Sequence, residues 1–292
     1  MGIATIEKNI FLGSVDTGHG NDIITGTSRF GIRNYSSIFT TGDGDDIITG
    51  NGHNEITSLD TGYGTGIDNG GPMDTGNGND IITGTNITGT NIGYGLGLTN
   101  NSDITTGDGN DIIAGTGATG IVNAGTINTD NGKDIITSTG FFYNQGVINT
   151  GNGDDSIIVN GGADGPTEYY LNNNGGSINT GNGDDSIIAD GDFFGTGNVF
   201  LGNGKDYFKG FGSGIFNGGK GQDTLELTTG TYTIEISETT VNFIQTNVPP
   251  NPYDPNYNGT LIMITSEFEK LITGSITRNF SSLTNGQTIV VA

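Results

Sequence analysis

The sequence predicts an all-β chain, a parallel β-solenoid of β-helix or β-roll-like type with a β-rich C-terminal cap. Three observations predict it. The first is an eight-residue phrase, Thr75-Gly76-Asn77-Gly78-Asn79-Asp80-Ile81-Ile82 in its clearest copy, that returns along most of the chain. Its copies end on Asp22, Asp46, Asp80, Asp111, Asp134, Asp155 and Asp185, with weaker ones on Asp206 and Asp223. Self-similarity at a period of roughly 20–50 residues signals a stacked architecture. The second is an apolar content of 31%, low for a globular core but sufficient for one narrow stripe per coil. The third is 55 glycines in 292 residues without a G-X-Y period, which excludes collagen and supplies turns.

The elements follow in order. Residues 1–12 carry Ile3, Ile6, Ile10 and Phe11 without a turn motif and read as a strand or cap that opens the stack. Residues 13–225 form the repeat region. In each octad, two glycines flanking one residue permit a tight turn with φ > 0. The Asp can hold that turn or a cation, and Asp-x-Ile then starts a short strand. Between octads lies a half-repeat such as Gly66-Ile67-Asp68-Asn69, and an apolar-x-Thr-Gly step leads into the next turn. Spacings run from 17 (Asp206 to Asp223) to 34 (Asp46 to Asp80). A coil of roughly 20 residues holds three short strands. Longer coils carry loops at 50–66, 85–97 and 161–170, rich in Gly, Asn, Thr or Asp.

Stacking sets equivalent residues above one another at ~4.8 Å. Asn34, Asn69, Asn100, Asn123, Asn144 and Asn173 then form an asparagine ladder, and Thr41, Thr75, Thr106, Thr129, Thr150 and Thr180 a threonine column. His19 and His53 are too far apart in the repeat for a shared metal and read as solvated turn residues. Beyond Asp223 glycine thins out. Strands are expected at 224–237, 240–245, 261–265 and 288–291, a loop at 247–258 around four prolines, and a strand rather than a helix at 266–271. Residues 226–292 are the candidate cap and secretion signal.

The octad resembles the nonapeptide G-G-x-G-x-D-x-U-x of RTX (haemolysin-type) calcium-binding proteins, which form parallel β-rolls. Gly218-Gly219-Lys220-Gly221-Gln222-Asp223-Thr224-Leu225 and Gly202-Asn203-Gly204-Lys205-Asp206 match it most closely, while Thr replaces the first Gly elsewhere. One octad per longer coil departs from the family's tandem spacing and points to a wider β-helix. The half-repeat is similar to repeats in secreted bacterial surface proteins of cyanobacterial type. The resemblance spans 13–225. It implies Ca2+ as the bound ion, with Asp22, Asp46, Asp80, Asp111, Asp134, Asp155, Asp185, Asp206 and Asp223 as metal ligands. It also implies export to the cell exterior or surface without a cleaved N-terminal signal peptide, by a route that reads the C-terminus. The tail ending Thr288-Ile289-Val290-Val291-Ala292 is uncharged and apolar, like such signals.

Charge narrows the partners. A net charge of −23, from 32 acidic and 9 basic residues, disfavours nucleic acid and anionic membrane surfaces and favours divalent cations. No run is long and apolar enough for membrane insertion. Cysteine is absent, which rules out a disulfide framework. One octad offers too few oxygens for calcium, but two on adjacent coils offer enough. The expectation is a secreted calcium-binding structural protein, not an enzyme, that self-assembles head to tail into filaments or a layer, with cell-surface polysaccharide as a further partner. A polysaccharide-active β-helical enzyme is the alternative, but Arg29, Arg33 and Lys133 are the only cations between 13 and 200 and are not clustered. Ice binding or adhesion is a third, weakened because the outward turn position is His19, Asp43, Asn77, Asp108, Asn131, Asn152 and Asn182 rather than Thr.

Overall fold

A computed structural model gives the fold. It describes all residues except 1–2, 7–9, 12, 58–59, 63, 87–94, 162–168 and 247–258. Among the described residues there are strands, one 3-10 turn at Phe280–Ser282 and no α-helix. The chain winds as a parallel β-solenoid, and each coil has three legs.

The first leg starts immediately after the octad Asp, as in Ile23–Ser28, Ile47–Gly52 and Ile81–Asn86. The second carries the half-repeat, as in Phe30–Asn34, Thr65–Asn69 and Leu96–Asn100. The third is the short step into the next turn, as in Phe39–Thr40, Met73–Asp74 and Asp103–Thr105. Every leg pairs in parallel with its equivalent one coil away. The opening strands Ile3–Ile6 and Ile10–Phe11 pair with Ile23–Ser28 and Phe30–Asn34, so they are the first coil.

Side chains alternate in and out with the two-residue period of a strand. Three buried apolar columns result, one per leg. Ile48, Ile82 and Ile113 belong to the first, Ile67, Leu98 and Ile121 to the second, and Met73, Ile104 and Ile127 to the third. Gly50 points inward where legs one and two press together, and a Cβ there would lie 2.2 Å from the Gly66 carbonyl oxygen. Outward, the first leg shows Ile47, Thr49 and Asn51 in register with Ile81, Thr83 and Thr85 and with Ile112, Ala114 and Thr116. The columns continue through Ile135 and Thr137, Ser156 and Ile158, and Ser186 and Ile188.

The asparagine ladder is present as expected. Each Asn Nδ2 from Asn34 to Asn144 donates to the Oδ1 of the next coil's Asn at 2.7–2.8 Å, and all six residues are fully buried. The ladder turns the corner between legs two and three. Of the expected loops, 50–66 holds an antiparallel hairpin, Glu55–Thr57 with Asp60–Gly62. Much of 85–97 and 161–170, and all of the 247–258 loop, fall outside the described residues.

The C-terminal region closes the stack. Thr260–Ser266 and Lys270–Thr273 add one more parallel coil. The sheets then continue antiparallel through Val241–Thr246, Gly230–Ile236 and Thr288–Val291 on one side and Ile276–Asn279 on the other. Tyr232 packs on Phe211 and Phe268 stacks on Phe280, covering the core's open end. Two expectations are corrected. Residues 224–237 are not one strand but Thr224–Leu227 and Gly230–Ile236, because the chain leaves the stack between them. Residues 266–271 are broken at Glu267, whose φ of 57° starts the turn that brings Glu269 back onto Asp223.

Candidate functional site

The octad turn lies at the corner between legs three and one. Its glycines are required there. Gly76 has φ +80°, and a Cβ on it would lie 2.2 Å from the Gly42 carbonyl oxygen of the coil before. Asp130, which stands at the equivalent position one residue type away from the pattern, adopts φ 62° instead.

All nine octad aspartates come together in one column, and the structure places them inside, each at most 1% exposed. The cause is periodicity: Asp and the Ile two residues on share a strand face. The column is a one-way ladder. The Asp22 N–H donates to Asp46 Oδ1 at 2.7 Å, Asp46 to Asp80 at 2.8 Å, and so on coil by coil to Asp206 and Asp223 at 2.9 Å. The Asp223 N–H, last in the row, donates to Glu269 Oε2 at 2.7 Å. The Asp223 carbonyl in turn accepts the Glu269 and Lys270 N–H groups. Glu269 therefore ends the ladder. The octad pattern does not contain it, and only its place on the coil after Asp223 marks it.

The other carboxylate oxygen is less well served. Asp80 Oδ2 accepts the Thr75 hydroxyl at 2.6 Å. Thr129, Thr150 and Thr180 also stand beside their aspartates and oppose the rise in carboxyl pKa. Their hydroxyls, however, donate to the next coil's carbonyl at 3.1, 3.1 and 2.8 Å. One hydroxyl proton cannot serve both acceptors. The carbonyl contacts are well formed, so Oδ2 of Asp134, Asp155 and Asp185 goes without a donor, as it does in Asp206 and Asp223, whereas Thr41 and Thr106 stand beside Asp46 and Asp111 and hold their carboxyls down in part.

Burial without a donor favours the neutral acid. Burial pushes Asp80, Asp134, Asp185 and Asp223 up to about 7 and Asp111 and Asp206 up to about 6. Asp46 and Asp155 are raised for the same reason. The exposed Asp43 and Asp45 shift the opposite way, held low by N–H groups of Asn77 and Asn79.

Outside this column runs an exposed one that the repeat also builds. Asn77 donates to Asp43 Oδ1 at 2.9 Å, and Asn152 and Asn182 each donate one coil back at 2.5 Å. His19 is a solvated turn residue as expected, with its side chain 83% exposed and Nδ1 3.4 Å from Asp43 Oδ2.

Does the inner column suit calcium? Its donors are hard oxygens, and five buried carboxylate oxygens, on Asp134, Asp155, Asp185, Asp206 and Asp223, lack a partner, so donor type and unmet charge fit. Threonine fills the place where the RTX nonapeptide has its first glycine in seven coils, whereas Leu201 precedes Asp206 and Gly218 precedes Asp223. Among the described residues no three acidic or histidine side chains gather at one point, so hydroxyls and carbonyls would complete any coordination shell. The cap holds a separate cavity of 380 Å³, with Phe268 and Phe280 in its lining and Glu238 and Glu267 beside them. No Lys, Arg or His is among its lining residues. Among known proteins, the chain matches no family model, no curated protein and no solved structure.

Proposed function

We propose that the chain is an extracellular structural protein of the cell surface or matrix, non-enzymatic, that takes up calcium along its aspartate column and stacks end to end into filaments or a layer. One observation carries the calcium half: a row of buried carboxylate oxygens without donors, in a chain of net charge −23. Buried anions without counter-charge oppose folding, and a bound divalent cation supplies that charge. Asp22, Asp46, Asp80, Asp111, Asp134, Asp155, Asp185, Asp206 and Asp223 would hold it, with Glu269 closing the row. Calorimetry tests this. Millimolar calcium should raise the melting temperature over a chelator control, and equal temperatures would remove calcium from the account.

The stacking half rests on edges. Ile3–Ile6, Ile10–Phe11 and Val15–Asp16 each pair on one side only among the described residues. At the far end Ile276–Asn279 and Thr288–Val291 likewise have one partner each. Unpaired strand edges template further pairing. The antiparallel cap changes the expected junction, since it offers these two strands in place of another parallel coil. Sedimentation in calcium should show concentration-dependent species far above 30.1 kDa, and a monomer at every concentration would end the stacking proposal. Cell-surface polysaccharide remains a proposed partner, bridged through the exposed acidic turns.

A second supply of charge has its own support. Burial pushes the Asp80 carboxyl, whose Oδ2 accepts the Thr75 hydroxyl at 2.6 Å, up to about 7, so a proton can neutralise it near neutral pH. Protons would then do what calcium does, and the two supplies differ in their response to pH.

A further inference from the structure

The outward face of the first leg is at odds with the rest of the surface. The chain carries 32 acidic residues, yet the two outward columns that start at Ile23 and Thr25 hold no charged residue through seven coils, down to Ser186 and Ile188. Charges return only at Lys209 and Glu226 in the next two coils. Acidic side chains crowd instead onto the neighbouring turn, at Asp43, Asp45, Asp108, Asp154 and Asp184. The face is also regular. Ile, Thr and Thr hold the same three positions in the coils that start at Ile23, Ile81 and Ile135, with single changes to Asn51 and Ala114 between them, and the first three strands pair without a register shift. Inward glycines such as Gly50 hold legs one and two close beneath it.

We infer that this charge-free Ile–Thr face is a lateral contact surface for a second copy of the chain, pairing two solenoids face to face. Identical columns stacked at ~4.8 Å can interdigitate with identical columns from another sheet in a dry interface. Self-pairing here also brings together a patch where two chains of net charge −23 do not repel. No aromatic ring stands in these columns before Tyr207, so the stacking platform that sugar rings prefer is missing.

Size decides how such a pair behaves. Seven strands span about 30 Å and each is about 17 Å long, giving roughly 500 Å² per copy. Roughly 1,000 Å² in total sits at the threshold for a specific interface. Single chains therefore pair weakly, and copies already joined end to end pair strongly, because each contact raises the effective concentration of the next. The role of the face in a layer rests on the proposed stacking. The contact itself does not.

The chain has no cysteine, so one introduced thiol reports alone. Ala114 points outward in the fourth of the seven coils, at the centre of the face. A two-fold axis either along the stack or through the face centre brings this position against itself. Asn152→Cys, on the exposed turn, is the control. Under mild oxidation of the full chain, Ala114→Cys should form disulfide dimers at least ten-fold faster than Asn152→Cys. Adding Thr137→Lys should abolish that advantage while the melting temperature stays unchanged. Equal rates overturn the inference. Inhibition of ice recrystallisation without faster cross-linking also overturns it and assigns the face to ordered water. Sedimentation of the same samples separates the proposals: long species without cross-linking sink the lateral face alone, and cross-linked dimers that never grow sink the stacking alone.

Discussion

At the scale of single residues, the buried aspartates decide how the protein responds to solution conditions. Their folded-state pKa values lie above that of an unfolded Asp, so the neutral form is the one the fold prefers. The stabilisation is complete below about pH 4 and is lost as pH rises through the folded values of about 6 to 7. In chelator, then, the melting temperature should fall between pH 4 and 8. Bound calcium favours the carboxylate and should flatten that fall, whereas calcium without effect across the range would leave protons as the sole counter-charge. Asp134→Asn separates the two supplies within one coil. Its Oδ1 still accepts the Asp111 N–H, and its charge is gone. In chelator at pH 8 it should melt higher than the parent, and in millimolar calcium it should melt lower and bind less cation. A variant that melts lower in both media would contradict this account of the column. The nine positions were legible from the repeat, and so was their burial in principle, since Asp80 and Ile82 sit two apart on one strand face. Nothing local announced Glu269, whose role arises only because the coil after Asp223 returns to it.

At the scale of elements, corners rather than legs set the tolerance to change. Asn123 donates to Asn144 Oδ1 and to the Val147 carbonyl, and accepts from Asn100. Asn123→Ala leaves buried groups unpaired on both sides and should cost about 2 kcal/mol or more by urea denaturation. Gly76→Ala meets both a positive φ and the Gly42 carbonyl oxygen, and should cost more than about 1 kcal/mol. Thr85→Ala on the outward face should change stability by less than about 0.5 kcal/mol. The asparagine ladder could be read from the constant offset of Asn34, Asn69 and Asn100 within the repeat. The cap could be read only as a list of strands. Its antiparallel order depends on which edge each strand reaches, and Thr288–Val291 finds Gly230–Ile236 across more than fifty residues of chain that carry no repeat.

At the scale of the whole molecule, stability is a sum over neighbouring coils. Far-ultraviolet circular dichroism should show β structure with no appreciable helix, in keeping with the described elements. Solenoid class, the repeat region 13–225 and the position of the cap were legible because stacking repeats one local rule. The charge-free face was not, since it appears only when Thr25, Thr49 and Thr83 are set side by side from segments 24 and 34 residues apart.

The antiparallel cap also gives the molecule a mechanical polarity. Its strands lock the last coils from a second direction, while the first coil, among the described residues, is held on one side only. A tensile load across the chain ends would act on the coil-to-coil bonds one after another and peel the stack from its N-terminal side. Each released coil, 17 to 34 residues apart from the next, would lengthen the chain by about 60 to 120 Å. An anchored copy would thus behave as a brake that yields in steps. In a single-molecule pulling trace the long-insertion coils should give way in the longest ones.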